Sequence, residues 1–405
     1  MTQNNSKGVA KENVDVAIVG CGPAGGLLAG RLARDGIRVI AFEKRPLVGV
    51  PVRCGEAAGS REEISAFVPV DDSWVVAELD GARMYSPDGT YVHKDMPGFS
   101  LMLNRDGFDQ ALANQAENWG ASIRTHHEVT GILQRDDTVC GVEVTDKKRG
   151  RSYTVESKIV VGADGVESFV GRWSGLTSHL RPRQIHSAIE YLCEDDSFPQ
   201  KRIELFVSRE EAPGGYGWMF PKGGNRANVG VGVHPTMARD GTARAYLDRF
   251  IAKRYPNAKI GRLVAGGVSG SKPLKTLTGN GVILVGEAGR MNNPLSGGGI
   301  MNALEGAEEA HPILRQAVEQ DDVSAEFLKR FDKAWHDRNG HLIQKFGILR
   351  DLFFKLDDND INHVVSVLEK MASKKPGVIT DYTELFHTAF KAVPGVLWKA
   401  RKMLW

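Results

Sequence analysis

The chain has 405 residues, 41% hydrophobic and 25% charged, and its 52 Lys+Arg against 50 Asp+Glu give a formal net charge of +2. This is globular composition rather than the composition of a disordered chain, and the near-neutral balance gives no global attraction to nucleic acid. Four cysteines (Cys21, Cys54, Cys140, Cys193) are too few for a disulfide framework and lack zinc or iron–sulfur spacing. The length predicts two or three domains. The first residues, MTQNNSKGVAKENVD, have no signal-peptide core, and no run of about 18 apolar residues occurs. The expectation is a cytoplasmic protein in a reducing compartment.

In chain order, residues 15–19 (DVAIV) predict a buried parallel strand running into Gly20-Cys21-Gly22-Pro23-Ala24-Gly25. A helical pattern follows through Leu27, Leu28, Ala29, Leu32 and Ala33, with Gly36 placed to stop it. A second strand over 38–42 ends at Glu43 and Lys44. This is a dinucleotide-binding unit. Gly20 permits the tight turn, Gly22 lets a pyrophosphate lie against bare backbone, and Gly25 lets helix and strand pack closely. Glu43 suits the adenosine ribose hydroxyls and would repel a 2′-phosphate, which disfavours NADP in this pocket.

Two later turns separate NAD from FAD. A strand over 158–161 runs into Gly162-Ala163-Asp164-Gly165. Another over 282–285 runs into Gly286-Glu287-Ala288-Gly289, followed by NPLSGGGI (293–300) and a helix through Met301, Ala303, Leu304 and Ala307. Strand–glycine turns so far apart suit a long, extended ligand, and FAD has that length. The start of the last helix, at Gly298, Gly299 and Ile300, is placed to bind its second polar end.

GCGPAG, then GADG, then GEAG with NPLSGGGI, resemble in order and spacing the flavoprotein fold shared with p-hydroxybenzoate hydroxylase. The resemblance implies FAD. It also implies that Glu287, which stands where the family usually has Asp, faces the ribityl chain through a side chain one methylene longer. Leu103-Asn104-Arg105 with Phe108-Asp109 resembles the segment whose arginine lies beside the flavin, so Arg105 is carried over as a contact. Ala163, Asp164 and Gly165, together with Val129 in an earlier strand, complete the expected cofactor surface.

Between these motifs lie candidate strands at 185–193, 202–207, 216–220 and 227–233, and 77–93 carries a hairpin signal at Pro87-Asp88-Gly89. Two segments here are informative: Pro51-Val52-Arg53-Cys54-Gly55-Glu56 and Tyr216-Gly217-Trp218-Met219-Phe220-Pro221-Lys222. Together they resemble the geranylgeranyl reductase family, including the archaeal enzymes that saturate digeranylgeranylglycerophospholipids. The resemblance implies that Cys54 and Gly55 lie in a loop near the flavin and that Tyr216, Trp218 and Phe220 line the substrate site. Alternation alone sends those three aromatics to one face, where they make either an apolar wall or an ordinary core stripe. Cys54, in a Pro/Gly-rich loop beside Arg53, is the candidate catalytic residue, positioning substrate or supplying a proton. His186 is a substrate-side candidate, and Glu190 shares its strand.

Beyond about residue 310 helical spacings dominate, with breaks at Asp357–Asp360 and Lys374–Gly377. The tail over 392–405 mixes Trp, Leu and basic residues and suits either a membrane surface or a helix closing a substrate tunnel. The expected fold class is α/β: a Rossmann-like FAD-binding domain (1–75, 100–180, 272–325), an inserted antiparallel sheet that binds substrate (76–99, 181–271) and a C-terminal helical region (326–405). The expected activity is FAD-dependent saturation of geranylgeranyl chains in archaeal-type membrane lipids or their precursors. An aromatic hydroxylase of the same fold is the alternative, and a flavin-binding lipid carrier without turnover a third reading. The lipid substrate implies peripheral contact with the inner face of the membrane. The electron donor stays open among ferredoxin, a reduced deazaflavin and NAD(P)H.

Overall fold

A computed structural model describes residues 11–177 and 179–374. The tail at 392–405 lies outside the described residues.

Two sheets organise the chain. In the first, Val282–Leu284, Arg151–Gly162, Lys11–Val19, Val39–Glu43 and Ser122–Thr125 lie side by side and parallel. Helices Pro23–Arg34, Arg105–Asn118, Ile300–Gln320 and Ala325–Trp335 bury Leu27, Leu28, Phe108, Leu304 and Phe331 in the core on one face. The other face is closed by the hairpin His127–Arg135/Thr138–Asp146, through Val139, Val142 and Val144. Strands covered on both faces read as continuous apolar runs, which is why DVAIV and VILV were recognisable.

Parallel neighbours end at the same sheet edge. The three glycine turns, more than a hundred residues apart in sequence, therefore meet there. Backbone bonds stitch them together: Ala163 N donates to Val19 O at 2.9 Å, and Val285 N to Gly162 O at 2.9 Å.

The second sheet runs Lys259–Ser269, Ile185–Glu194, Arg226–Val233, Gly217–Pro221, Ile203–Phe206, Val75–Tyr85, Tyr91–Leu103. Its pairs are antiparallel except Ile203–Phe206 with Val75–Tyr85, which is parallel. The hairpin signal is realised: Gly89 has φ +89°, and Ser86 N donates to Thr90 O at 2.8 Å. Lys259–Ser269 was not expected as a strand. It is an exposed edge rich in Gly and charge, and so lacks the apolar alternation of its neighbours.

Helix Ala243–Arg254 packs Leu247 and Phe250 onto the sheet face carrying Met219, Val229 and Val231. Alternation leaves Trp218, Phe220, Asn228 and Gly230 on the opposite face. Helices His341–Phe353 and Asp358–Lys374 pack against the 75–103 hairpin through Val92, Leu349, Val365 and Leu368. Arg209 fastens them, donating from Nε to Leu356 O at 2.6 Å and from its backbone N to Asp358 Oδ1 at 2.7 Å. Among the described residues, no helix is long and apolar enough to cross a membrane.

Candidate active site

At the sheet edge the three glycines of GCGPAG have different surroundings. A Cβ on Gly20 would lie 2.4 Å from Ala163 O, and one on Gly25 would lie 2.0 Å from Gly20 O. A Cβ on Gly22 would meet nothing within 4 Å. Two of these glycines are thus required by packing, while the third keeps space open at the start of helix Pro23–Arg34. No side chain caps that helix start, so its first amide groups are available to an anion. Helix Ile300–Gln320 likewise begins uncapped at Gly299, and Gly286 sits between the two helices, its missing Cβ 3.1 Å from Ala24 and 3.6 Å from Ala303.

The carboxylates expected here are present in different states. Buried Glu43 accepts from Arg45 N at 3.0 Å and, more weakly, from Cys21 N at 3.4 Å. Lys44 is turned outward and pairs with Glu167 at 3.0 Å. Asp164 accepts from Val170 N at 3.0 Å through one oxygen, while its other oxygen is buried without a partner and burial pushes the carboxyl up. An orphaned buried acceptor at a glycine turn is what a hydroxyl-bearing ligand would satisfy. Burial also raises Glu287, which accepts from Ser269 N at 3.0 Å. Its extra methylene therefore carries the carboxylate to the second sheet's last strand. Val129 pairs with Val144 and packs in the hairpin core.

The Cys54 loop spans the gap between the sheets. Ala58 N donates to Leu101 O, and Leu101 N to Gly59 O, both at 2.9 Å, so the loop runs along the end of strand Tyr91–Leu103. Cys54 Sγ accepts from Glu56 N at 3.2 Å. Desolvation pushes the thiol up, and the Arg105 guanidinium beside it pulls the other way. Arg105 itself is held by a two-point pair with Asp109 at 2.8 and 2.7 Å.

The aromatic face meets this loop. Tyr216 and Trp218 have ring centroids 5.8 Å apart, and Trp218 and Phe220 are stacked at 6.0 Å. A Cβ on Gly55 would lie 2.9 Å from the Phe220 ring, so only glycine lets the loop approach. Tyr216 donates through its hydroxyl to Ser296 O in the NPLSGGGI segment. Burial, with Cys54 and Glu190 nearby, pushes its phenol up to about 12.

Sequence reasoning set Glu190 beside His186 as a pocket candidate and quoted Glu56 and Lys222 within its motifs, but it did not join them, or Asn228, into the polar network beneath the aromatics. Glu190, 4% exposed, accepts from Trp218 Nε1 at 2.9 Å. Burial pushes its carboxyl up to about 8, with the Trp218 bond opposing that rise. Glu56 adopts φ +71° and accepts from Lys222 Nζ at 2.6 Å, from Asn228 Nδ2 at 3.0 Å and from Arg105 N at 3.0 Å. A non-glycine residue at positive φ carries backbone strain, and these partners hold it there. The available signal was a lone polar residue in each apolar strand: Glu190 in AIEYL and Asn228 in ANVGVGV.

His186 shares the Glu190 face but stands at the far end of the strand. Its Nε2 bonds Gly214 O at 3.0 Å, and its ring contacts His234 and Phe354. Burial draws it down to about 4, so the imidazole is neutral.

Residues 184–270 match the geranylgeranyl reductase catalytic domain. Over 398 residues the chain is 37% identical to a digeranylgeranylglycerophospholipid reductase of Methanosarcina acetivorans, covering 96% of each. It is 35% identical over 397 residues to digeranylgeranylglycerophospholipid reductase 1 of Methanococcoides burtonii, covering 97% of this chain and 96% of that one. The crystal structure of a geranylgeranyl bacteriochlorophyll reductase-like protein from Thermoplasma acidophilum superimposes with a TM-score of 0.89 at 30% identity, covering 97% of this chain and 100% of that chain. A flavin-dependent brominase shares the fold alone, with a TM-score of 0.72 at 18% identity and coverage of 92% and 93%. With relatives of this identity aligned almost end to end, the chain belongs to the geranylgeranyl reductase family.

Proposed function

We propose that this chain is an FAD-dependent reductase that saturates C=C bonds of geranylgeranyl chains in archaeal-type membrane lipids or their precursors. The observation that carries the reading is the seating of the Cys54–Glu56 loop on the Tyr216–Trp218–Phe220 face, which Tyr216 ties to Ser296 in the NPLSGGGI segment. The open space at Gly22, the uncapped helix starts and the orphaned Asp164 oxygen fit an extended dinucleotide. Gly20 to Gly25, Glu43, Asp164 and Gly165, with Gly286 and the Gly298–Ile300 helix start, would hold it. Bound there in reduced form, FAD supplies the hydride.

The chain's own residues do the rest. An isoprenoid chain offers nothing to hydrogen-bond and is held by buried area, worth roughly 25 cal/mol per Å². The aromatic face provides that area and excludes water. Saturating an alkene also requires a proton on the second carbon. Cys54, kept neutral by desolvation, would give it. Glu190, protonated near neutral pH behind Trp218, is the reserve that reprotonates the thiol. Arg105, paired with Asp109, stabilises the thiolate meanwhile.

Anaerobic reduction of the flavin-loaded chain with dithionite, followed by a geranylgeranyl lipid, is expected to reoxidise the flavin and yield a product heavier by two hydrogens per bond. Oxygen uptake on adding an aromatic acid, with no lipid turnover, is the result expected of a hydroxylase and would overturn the reading. The same assay run with ferredoxin, a reduced deazaflavin or NAD(P)H identifies the donor. Sedimentation with liposomes tests membrane contact.

A further inference from the structure

A cleft of about 310 Å³ opens between the start of strand Ile185–Glu194, the loop at 270–273 and helix His341–Phe353. Four cationic side chains line it: Arg183, Lys272, Arg290 and Arg350. Among the described residues Arg183, Lys272 and Arg290 have no carboxylate within ion-pair reach, while Arg350 pairs with Asp351 through Nε at 3.0 Å and through Nη2. Arg350 is only 8% exposed, and its remaining nitrogen, Nη1, is buried with no hydrogen-bond partner. Gly270 borders the cleft, and a Cβ there would lie 3.8 Å from that nitrogen.

We infer that this cleft is a phosphate-binding subsite. A buried guanidinium N–H without an acceptor costs free energy, and the arrangement persists where a ligand supplies the acceptor. After Asp351 is counted, three positive charges remain to be met. A phosphate group carries the matching charge and several acceptor oxygens, and a guanidinium presents its donors in the geometry those oxygens take. Arg183 and Lys272 are exposed, Arg290 is half-buried and Arg350 is buried, so a small oxyanion reaches Arg350 where a folded protein surface does not.

The source of the phosphate follows from the fold and rests on the function proposed above. Gly270 also touches His186, since a Cβ there would lie 2.6 Å from the imidazole. His186 and Glu190 share a strand face four residues apart, about 13 Å at the usual rise. A lipid phosphate held by Arg350 would therefore leave its glycerol along His186 and present its first isoprene units toward Trp218 and Cys54. A nicotinamide dinucleotide has the same phosphate chemistry, and the experiment separates the two.

The flavin-loaded full chain, with its dinucleotide site filled, is titrated with inorganic pyrophosphate by calorimetry. The wild type is compared with the surface variant Arg183→Ala/Lys272→Ala and with Arg350→Lys, each checked by circular dichroism. Both are expected to weaken binding by about tenfold or more. In turnover, the KM for a phosphate-bearing geranylgeranyl lipid should rise by a similar factor while kcat holds, and the KM for the same lipid lacking phosphate should stay put. A KM rise confined to NADH or NADPH supports the subsite and assigns it to the donor. Unchanged pyrophosphate affinity together with unchanged KM values overturns it. Cation-dependent pyrophosphate binding in a protein that reduces no alkene would leave the subsite standing and sink the proposed activity instead.

Discussion

Glu190 ties electrostatics to chemistry most directly. Its ordinary carboxyl value of 4.5 rises to about 8, chiefly through burial. The folded state therefore favours the protonated form. The stability this contributes is fully present below about 4.5 and is lost as pH rises through about 8. Glu190→Gln should flatten that slope in chemical denaturation followed across this window. If Glu190 restores the proton on Cys54, wild-type turnover falls as pH passes about 8, and the variant loses turnover on the order of 100-fold at neutral pH while keeping its flavin. Cys54→Ala should lose turnover on the same scale, again with flavin retained. Full turnover in that variant would remove the thiol from the reaction. The Glu56–Lys222 pair behaves differently. Both side chains are nearly buried, so Lys222→Met strands a carboxylate and should cost about 3–5 kcal/mol by denaturant titration.

At the level of elements, the strand–loop–helix unit separates folding from binding within one hexapeptide. Gly25 lies where helix meets strand, and Gly25→Ala should destabilise the chain by about 3 kcal/mol, because a Cβ 2.0 Å from Gly20 O forces backbone apart. Gly22→Ala intrudes only on open space. It should melt like the wild type once flavin is stripped from both, yet retain far less flavin when purified, as the absorbance ratio of flavin to protein will report. Equal flavin content would show that the space at Gly22 has no ligand role. The aromatic strand is built on the same economy. Met219 and Gly217 face helix Ala243–Arg254, while Trp218 and Phe220 face the Cys54 loop, so one strand serves a core and a site on its two sides.

The whole molecule brings its site together at a seam. The first sheet supplies the convergent glycine turns, the second the aromatic wall, and the C-terminal helices lean on both the hairpin and the sheet's far end. Arg209 is the fastening. Besides Leu356 O and Asp358, it bonds the carbonyl oxygens of Phe353 and Phe354. Arg209→Ala should speed limited proteolysis between helices His341–Phe353 and Asp358–Lys374 several-fold and leave flavin content unchanged, since Arg209 bonds none of the glycine turns. If Phe354 and His186 form part of the route taken by a lipid, the same variant raises KM more than it lowers kcat.

Much of this was legible in the sequence because local rules govern it. A covered parallel strand must be apolar along its length, a tight turn into a helix must use glycine, and a two-sided strand must alternate. DVAIV, GCGPAG and YGWMFP therefore declared themselves, and their order pointed to the family. The unexpected edge strand Lys259–Ser269 had no apolar pattern to show, because solvent covers most of it. Single positions such as Lys44 and Val129 could not be placed by pattern. Lys44 pairs with Glu167, 123 residues away, and Val129 with Val144 across a hairpin. Only the tertiary structure seats Gly55 against Phe220, buries Glu190 behind Trp218 and leaves Nη1 of Arg350 without an acceptor. Each of these depends on which distant group burial brings near and on how much water is excluded, quantities that spacing along the chain does not carry.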